Sequence, residues 1–504
     1  MSTTATDRAG SPVREMHNHI GGRWVAATGA GGLEVLNPAD GAALATVPLS
    51  SAADVDAAVA AARAALPQWS RRPVIERARL LFRLRQLVEE RLEDFAELLT
   101  RDTGKALLDA RLEMMRALET IECACAIPQT MQGRALGQIA NGVDCETFRQ
   151  PVGVCAAITP FNFPAMLTMW FLPFAIGCGN TLVLKPSEQT PLVPELIFEL
   201  LEQLELPPGV VNLVHGGEAA VNALLDAPGV DAVSFVGSAA TAAYVYERAA
   251  ATGKRVQAFG GAKNYMVVMP DAVADKVAAN IVASAFGGAG QRCMAGSVIL
   301  AVDGAWEQIR EPLVAAADRL RVGDGMQAGT DLGPVVSQDA RARVTDMIEI
   351  GVDEGASLAL DGRGPVADPN GAFVGPTVLE NVSAQMLVAR EEIFGPVLSV
   401  IPVASLDEAI ALVNASRYGN GTSIFTESGA VVRRYREEVE VGMIGVNIGV
   451  AAPVAFFPFG GWKSSFLGDV GACGTDAIDF FTRKKTVTSR WFSGGQTGKY
   501  FVES

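Results

Sequence analysis

The sequence contains little histidine: His17, His19 and His215 are the three in 504 residues. The first two lie in or beside a polar N-terminal stretch that we expect to be flexible, and the third stands alone. A histidine-based catalytic triad and a histidine-rich metal cluster are therefore not expected. Any acid–base chemistry has to come from other side chains.

Cysteine spacing of the metal-binding kind is also missing. Cys123 and Cys125 are too close together for the usual zinc pattern, and the total of seven is odd. The chain opens without a signal-peptide pattern. We therefore expect no metal, a reducing environment and a cytoplasmic location.

Positive charge is in deficit, with 41 Lys and Arg against 56 Asp and Glu and a formal net charge of −15. This balance argues against nucleic acid or an anionic membrane surface as a partner. A local basic pocket for a small anionic ligand remains compatible with it.

Residues 151–184 lack any charged side chain and are long enough to span a bilayer. Pro160, Pro164 and Pro173 divide the stretch into shorter pieces. We predict a buried strand, a turn, a short buried helix and a second buried strand inside a soluble core, with no membrane partner.

The rest of the chain predicts an α/β protein of more than one domain, since 504 residues exceed a single core. Residues 1–16 are predicted to be a disordered tail. Helical sequence begins near Asp54, which has the character of a cap. Short apolar runs then alternate with helices over 150–262 and again over 263–455, as in parallel, doubly wound sheets. We expect a site between two domains in contact.

The stretch FGGAGQRCMAG, residues 286–296, places Arg292 directly before Cys293 in a glycine-rich segment. Cys293 can be a small buried hydrophobic residue, with Arg292 as an ordinary salt-bridge partner. Alternatively, Cys293 is a reactive thiolate beside a cation that activates it or binds an anionic substrate. The segment alone leaves both interpretations open.

Three other motifs are each ambiguous by themselves. In FVGSAATA, Gly237 and Ser238 form either a pyrophosphate-binding turn or an ordinary strand–helix junction. In LKPSE, Lys185 and Glu188 either hold ribose hydroxyls or form a surface ion pair. In TPFNFP, Asn162 either stabilises a turn or points at a ligand oxygen.

Taken in order and at their spacing, these motifs, with EEIFGPV (391–397) and FPFGGWKSS (457–465), resemble the NAD(P)-dependent aldehyde dehydrogenase superfamily. The resemblance runs from about residue 17 to the end. It implies assembly as a homodimer or homotetramer. The implied units are a Rossmann-type NAD-binding domain (17–130 and 150–262), an α/β catalytic domain (263–476) and a small β oligomerisation extension (131–149 and 477–504).

The resemblance also implies residue roles. Cys293 would attack the aldehyde, and Asn162 with the Cys293 N–H would hold the oxyanion. The carboxylate of Glu188 would repel a 2′-phosphate, which favours NAD over NADP. Ala242 departs from the glycine that many relatives have at its position. The residues implied to bind the cofactor are Phe161, Lys185, Glu188, Gly237, Ser238, Glu392 and Phe394.

One departure from the family pattern concerns the base that activates water. Relatives that hydrolyse their thioester carry a glutamate in an ELGGK-like motif, whereas the matching position here is Ala258 or Phe259. A thiol such as that of coenzyme A (CoA) needs less help, because its pKa is about 8.5 and it is a strong nucleophile. The stretches GGAKNYMVVMPDA, AGQRCMA, AAPVAFFPFGGWKSSF and DFFTRKKTVTSRW resemble the CoA-acylating methylmalonate-semialdehyde dehydrogenases.

Substrates of that branch carry a carboxylate, so Arg292 and Arg116 are implied to bind it. The charge of Arg292 is also expected to favour the Cys293 thiolate. The expected reaction is NAD-dependent oxidation of malonate or methylmalonate semialdehyde to acetyl-CoA or propionyl-CoA, with loss of CO2. Three alternatives stay open: a hydrolytic semialdehyde dehydrogenase, another acylating substrate, and a non-catalytic binding protein on the same scaffold.

Overall fold

The computed structural model describes residues 13–364 and 368–491. In chain order its strands are β1 (Arg14–Glu15), β2 (Asn18–Ile20), β3 (Arg23–Val25), β4 (Gly32–Leu36), β5 (Ala43–Pro48), β6 (Ala135–Ala140), β7 (Val143–Pro151), β8 (Val154–Ile158), β9 (Thr181–Lys185), β10 (Val211–Leu213), β11 (Ala232–Val236), β12 (Arg255–Phe259), β13 (Asn264–Val268), β14 (Gly296–Val302), β15 (Ser357–Leu360), β16 (Thr377–Glu380), β17 (Val397–Val403), β18 (Tyr418–Gly419), β19 (Gly421–Phe425), β20 (Met443–Val446), β21 (Trp462–Lys463), β22 (Phe466–Leu467) and β23 (Thr482–Arg490).

The helices are α1 (Ala52–Arg71), α2 (Val74–Glu90), α3 (Leu92–Thr103), α4 (Leu107–Cys125), α5 (Ile127–Thr130), α6 (Pro164–Gly177), α7 (Leu192–Leu201), α8 (Glu218–Asp226), α9 (Ala239–Ala251), α10 (Ala274–Phe286), α11 (Ala305–Asp318), α12 (Gln338–Asp353), α13 (Leu387–Arg390), α14 (Leu406–Ala415), α15 (Gly429–Glu438) and α16 (Gly474–Phe481). None of the helices in the described ranges is both long and apolar enough to cross a bilayer.

The first large sheet has the strand order β22-β12-β11-β8-β9-β10-β2-β3. Its five central strands, β12 to β10, are parallel. Strands β8 and β9 are buried at every position, which is typical of parallel strands covered on both faces. They flank the buried helix α6. The strand–turn–helix–strand prediction for 151–184 is thus confirmed.

The second large sheet has the order β15-β16-β17-β14-β13-β19-β20 and is parallel except at β15. A separate antiparallel sheet, β23-β7-β6, projects from the body with mostly exposed residues. The doubly wound α/β prediction is confirmed by the two parallel sheets.

The site lies where the two large sheets meet. The first sheet contributes the loops that follow the carboxyl ends of β8, β9, β11 and β12. Ligands bind at such strand ends in open α/β sheets, above all where the strand order reverses, as it does around β8. The second sheet contributes the residues that precede β13, β14, β17 and β19.

The N-terminal prediction was wrong for residues 13–16. Arg14–Glu15 pair in parallel with β5, and the Met16 N–H donates to the Thr46 carbonyl at 2.9 Å. A strand of two residues is too short to leave an alternation pattern in the sequence. His19, expected beside a flexible tail, is buried in β2 against Trp24 and Phe198. Residues 1–12 lie outside the described residues.

Two other boundaries differ from the predictions. Helix α1 is capped at Ser51, and the Asp54 carboxylate accepts the Ser51 N–H at 2.8 Å from inside the first turn. Within the predicted catalytic domain, 263–476, β22 joins the first sheet by pairing with β12. Strand β22 has two residues and lies in a glycine-rich segment. Such a segment has no hydrophobic periodicity from which the strand could have been predicted. The last part of the predicted C-terminal segment, 492–504, lies outside the described residues.

Candidate active site

Two cavities meet at Cys293. One, which we call the arginine cavity, is lined by Arg116, Arg292 and Asn162 together with apolar side chains. The other, the glycine groove, is lined by residues from the ends of β8, β11 and β12 and from the segment before β17. The predicted residues on its walls are Phe161, Asn162, Gly237, Ser238, Cys293, Glu392 and Phe394. The structure thus brings most of the predicted site together around one thiol.

The glycine-rich segment before Cys293 is a tight turn, Gly287–Gly290, between α10 and the nucleophile. Gly288 and Gly290 have positive φ values of 59° and 68°. A Cβ on Gly290 would lie 2.1 Å from the carbonyl oxygen of Gly395, and one on Gly287 would lie 2.4 Å from the guanidinium of Arg292. Glycine is therefore required at Gly290, whereas a side chain at Gly287 would displace the Arg292 guanidinium from its present position.

Two asparagines fix the backbone at Cys293. The side-chain amides of Asn264 and Asn420 donate to the Cys293 carbonyl at 2.8 and 2.9 Å. The Asn264 amide also donates to the Ala295 carbonyl at 3.0 Å. Sequence reasoning missed both residues, because Asn264 begins β13, Asn420 lies just before β19, and the two meet Cys293 only in the fold.

Asn162 lies in the loop between β8 and α6 and is buried. Its side-chain amide donates to the Gln291 carbonyl at 2.9 Å, which holds it against the segment that carries Cys293. The amide has a second hydrogen available for another acceptor. Gln291, which replaces the more usual glutamate, accepts the Val336 N–H at 3.1 Å.

Arg292 acts on the Cys293 thiol in the expected direction, because its charge lowers the thiol pKa, but burial outweighs this effect. Burial raises the pKa of the Cys293 thiol to about 12, and the negative charge of Glu392 acts in the same direction. Arg292 is the smallest of the causes that act on this pKa, and its guanidinium is paired with Asp109, 2.5 Å away on α4. The neighbouring arginine is present, as predicted, but its charge is already balanced.

Arg116 also has an acidic partner. It forms an ion pair with Glu119 at 2.8 Å, and its side chain is 46% exposed at the mouth of the arginine cavity. Asp109, Arg116 and Glu119 all belong to α4, which presents one charged face to the cavity. No sequence pattern indicated Asp109 as the partner of Arg292, since the two are 183 residues apart.

Glu392 lines the glycine groove with Cys293, and the charge of Lys263 acts on Glu392. Burial raises the pKa of Glu392 to about 7, although the Ala262 N–H, which its carboxylate accepts at 3.0 Å, acts in the opposite direction. Burial also lowers the pKa of Lys263 to about 8. The Lys263 ammonium has no hydrogen-bond partner among the described residues.

The glycine groove fits a dinucleotide. Gly237 follows β11, and a Cβ at this position would lie 2.4 Å from the ring of Phe235. Because glycine has no side chain, the backbone here stays accessible to a ligand. Ser238 is the N-cap of α9, and its hydroxyl accepts the Thr241 N–H at 3.3 Å. Glycine followed by a helix N-terminus is the arrangement that binds pyrophosphate. Ala242 is buried in the first turns of α9.

Lys185 and Glu188 form the predicted pair at the end of β9, with the ammonium 2.8 Å from the carboxylate. Although burial opposes the charge, Lys185 holds the pKa of Glu188 below its usual range. Phe161 and Phe394 pack edge to face, with ring centres 5.7 Å apart, across the groove near Cys293.

The position matching the family glutamate carries no base. Ala258 and Phe259 end β12 and are buried. The Phe259 ring packs against Trp170, Phe459 and Phe466. The glutamate of the family motif is therefore replaced by an apolar cluster at this strand end, as the sequence predicted.

Comparison with known proteins agrees with this geometry. The profile of the aldehyde dehydrogenase family matches residues 24–487. Malonate-semialdehyde dehydrogenase 1 from Geobacillus thermodenitrificans (strain NG80-2) is 48% identical over 480 residues, 95% of this chain and 99% of that protein.

Solved structures are similar over the same length of chain. Methylmalonate-semialdehyde dehydrogenase from Oceanimonas doudoroffii has a TM-score of 0.94 and 42% identity, covering 96% of this chain and 99% of that one. A structure from Sinorhizobium meliloti 1021, determined with NAD, has the same TM-score, identity and coverage. The chain therefore belongs to the aldehyde dehydrogenase family. The predicted fold class and the expectation of an NAD-dependent enzyme are confirmed.

Proposed function

We propose that the protein oxidises malonate or methylmalonate semialdehyde with NAD and transfers the acyl group to CoA, with loss of CO2. The observation that carries this proposal is the presence of Arg116 and Arg292 in the same cavity as Cys293. Guanidinium groups beside a thiol suit an aldehyde whose other end is a carboxylate. The names of the relatives support the same substrate class.

In this reaction the Cys293 thiol releases its proton to solvent, and the thiolate adds to the aldehyde carbon. The Asn162 amide and the Cys293 N–H hold the negative charge that develops on the oxygen. NAD, when bound, supplies the hydride acceptor. Arg292 and Arg116 orient the carboxylate of the resulting thioester, from which CO2 leaves while the carbonyl accepts charge. A proton takes the place of the carboxylate, and CoA then displaces the acyl group from Cys293.

The residues proposed to bind the cofactor lie at the carboxyl ends of strands in the first sheet. Lys185 and Glu188 would hold the adenine ribose, and Gly237 with Ser238 would hold the pyrophosphate at the N-terminus of α9. The nicotinamide half would lie nearer Cys293, positioned by Phe161, Glu392 and Phe394.

CoA is proposed as the acyl acceptor because the strand end at Ala258 and Phe259 provides no base for water. A hydrolytic reaction is the second candidate, and Glu392 is the observation that favours it. This buried carboxylate lines a cavity with Cys293, and burial raises its pKa to about 7, within the range of a general base.

For assembly we propose a homodimer or homotetramer formed through the projecting sheet, in the cytoplasm. Among the described residues its outer strands, β6 and β23, pair on one side only, and Leu136 and Ile139 of β6 and Phe148 of β7 are exposed. Such edges and apolar side chains are ordinarily covered by a partner chain. Sedimentation velocity with Leu136→Lys should show a smaller assembly if the sheet forms the contact.

The test of function is NADH formation from each semialdehyde, with and without CoA, with the products identified by mass spectrometry. Strict CoA dependence with acetyl-CoA or propionyl-CoA supports the proposal. Rapid turnover to a free acid without CoA would instead favour hydrolysis. Absence of NADH from any aldehyde would leave only the non-catalytic alternative.

A further inference from the structure

A buried ion pair lies in the wall of the arginine cavity, and the proposed mechanism makes no use of it. Lys105 follows α3, and Glu113 belongs to α4. Their side chains are 7% and 0% exposed, and the ammonium donates to the carboxylate. Both residues line the cavity that contains Cys293.

The pair is attached to the loop that carries Asn162. The Lys105 ammonium donates to the main-chain carbonyl of Asn162 at 2.7 Å and lies 4.5 Å from the centre of the Phe163 ring. On the other side, the Glu113 carboxylate accepts the N–H groups of Ala165 and Met166 at 2.9 and 3.1 Å.

The second contact places Glu113 at the start of α6. The N-cap of that helix is Phe163, whose side chain cannot accept a hydrogen bond, so Glu113 supplies the acceptor from another helix. Together, the two side chains fix the backbone at Asn162 and in the first turn that follows it.

Stability alone does not account for this arrangement. A buried ion pair contributes little net stability compared with apolar side chains of similar volume, because both charges lose their hydration. What an ion pair does provide here is defined geometry at Asn162, whose amide is directed toward the Cys293 segment. Oxyanion stabilisation depends on donors held within a fraction of an ångström of the developing charge.

We propose that Lys105 and Glu113 are positioning residues that hold Asn162 in the orientation needed to bind the oxyanion. This inference rests on the proposed function, since it takes Asn162 as an oxyanion donor. It assigns no contact with the substrate to either residue. Lys105 acts on the loop backbone, and Glu113 acts by holding Lys105 and the start of α6.

A double-mutant cycle tests this proposal. The rate of the first NADH turnover with malonate semialdehyde is measured for Lys105→Met, Asn162→Ala, the double variant and the conservative Lys105→Arg. Asn162→Ala should slow the step by about 10²–10³-fold. Lys105→Met should slow it by about tenfold or more, and Lys105→Arg should restore much of the loss. The double variant should be no slower than Asn162→Ala alone.

The outcomes separate the two claims. A fully active Asn162→Ala would overturn the oxyanion assignment and thus the proposed function at that residue. A slow Asn162→Ala combined with multiplicative losses in the double variant would overturn the positioning role and leave the function intact. A rise in KM for malonate semialdehyde, but not for propanal, would show that Lys105 binds the substrate carboxylate instead.

Folding is checked by the thermal midpoint of each variant and by the KM for NAD, neither of which should change enough to explain the rates. Should Lys105→Met fail to fold, Glu113→Gln takes its place in the cycle, because it removes the charge and keeps the volume. Glu122→Gln, an exposed change on the same helix, is the control.

Discussion

The two cavities that meet at Cys293 differ in how their charges are balanced. In the arginine cavity the cations are paired with acids of α4: Lys105 with Glu113, Arg116 with Glu119 and Arg292 with Asp109. In the glycine groove, Glu392 and Arg343 form no salt bridge with any described residue. The cations of the arginine cavity are thus neutralised by acidic residues of the protein, whereas the glycine groove contains charged groups that are available to a ligand.

This difference bears on both binding and reactivity. A substrate carboxylate has to compete with Asp109 and Glu119 for the arginines. Its affinity is therefore the difference between its own interaction with the guanidinium groups and the interaction of these acids with them. The open carboxylate of Glu392 can accept ribose hydroxyls without displacing a partner. Burial keeps the unliganded Cys293 thiol protonated, and the charge of the same carboxylate adds to this effect.

The largest expected effect is at the point shared by both cavities. Cys293→Ala should reduce NADH formation by at least about 10⁴-fold, because the covalent step loses its nucleophile. Intact-mass spectrometry without CoA should detect an acyl adduct on the native chain and none on the variant.

Cys473→Ala provides the matched control for that experiment. Cys473 lines the same arginine cavity and is buried, so the substitution removes a thiol from the same walls. It should retain most of the activity. If the Cys293→Ala variant still formed the acyl adduct, the nucleophile would have to be another residue.

The second effect tests whether the paired arginines still bind a carboxylate. Arg292→Met should lower kcat/KM for malonate semialdehyde by about 10²-fold, since a charge-assisted pair is lost beside the thiol. Arg116→Met should cost less, about tenfold, because that side chain is half exposed. Steady-state rates with each semialdehyde measure both losses.

Propanal and Arg111→Met are the controls for this pair. Propanal has no carboxylate, so its kcat/KM should change less than about threefold in either variant. Arg111 lies on the same helix and pairs with Glu93 outside the cavity. Equal losses for propanal and malonate semialdehyde would contradict carboxylate binding and indicate a structural role for the arginines.

The sequence predicted the groove better than the arginine cavity. Gly237 and Ser238 follow one strand and open one helix, so a single short motif contains their whole geometry. Lys185 and Glu188 are likewise three positions apart and meet without help from the rest of the chain. Local chemistry of this kind is readable because its partners are close in the sequence.

The arginine cavity depends instead on contacts between distant segments. Arg292 meets Asp109 across 183 residues, and Asn420 meets Cys293 across 127. The pattern indicated that Arg292 lies beside the thiol, but it could not show that the arginine is neutralised or that burial dominates the thiol pKa. The predicted effect of Arg292 on the Cys293 thiol has the right direction, but burial is the larger cause and the net pKa is raised.

The third effect concerns that thiol. Because burial raises the pKa of Cys293 to about 12, alkylation of the unliganded enzyme by iodoacetamide should rise about tenfold per pH unit from pH 7 to 9 without a plateau. Glu392 is charged only above its own pKa of about 7. Glu392→Gln should therefore react severalfold faster than the native chain at pH 8.5 and at a similar rate at pH 6.

Cys293→Ser identifies the signal in this experiment, because label on that variant reports the other cysteines. A plateau near pH 6 in the native chain would mean that the effect of Arg292 on the thiol pKa outweighs that of burial. An equal gain for Glu392→Gln at both pH values would indicate altered access to the thiol and not a change of charge.

The smallest expected effect is in the cofactor pair. Glu188→Gln removes the carboxylate that would repel a 2′-phosphate and releases the Lys185 ammonium, now 2.8 Å from it. The ratio of kcat/KM for NADP to that for NAD should rise about tenfold, with a loss of a few-fold for NAD itself. Glu199→Gln on α7 makes the same change of net charge outside the groove and should leave the ratio unaltered. An unchanged ratio in Glu188→Gln would mean that Glu188 does not bind the ribose. The assignment of Gly237 and Ser238 to the pyrophosphate would still hold, because these residues follow a different strand.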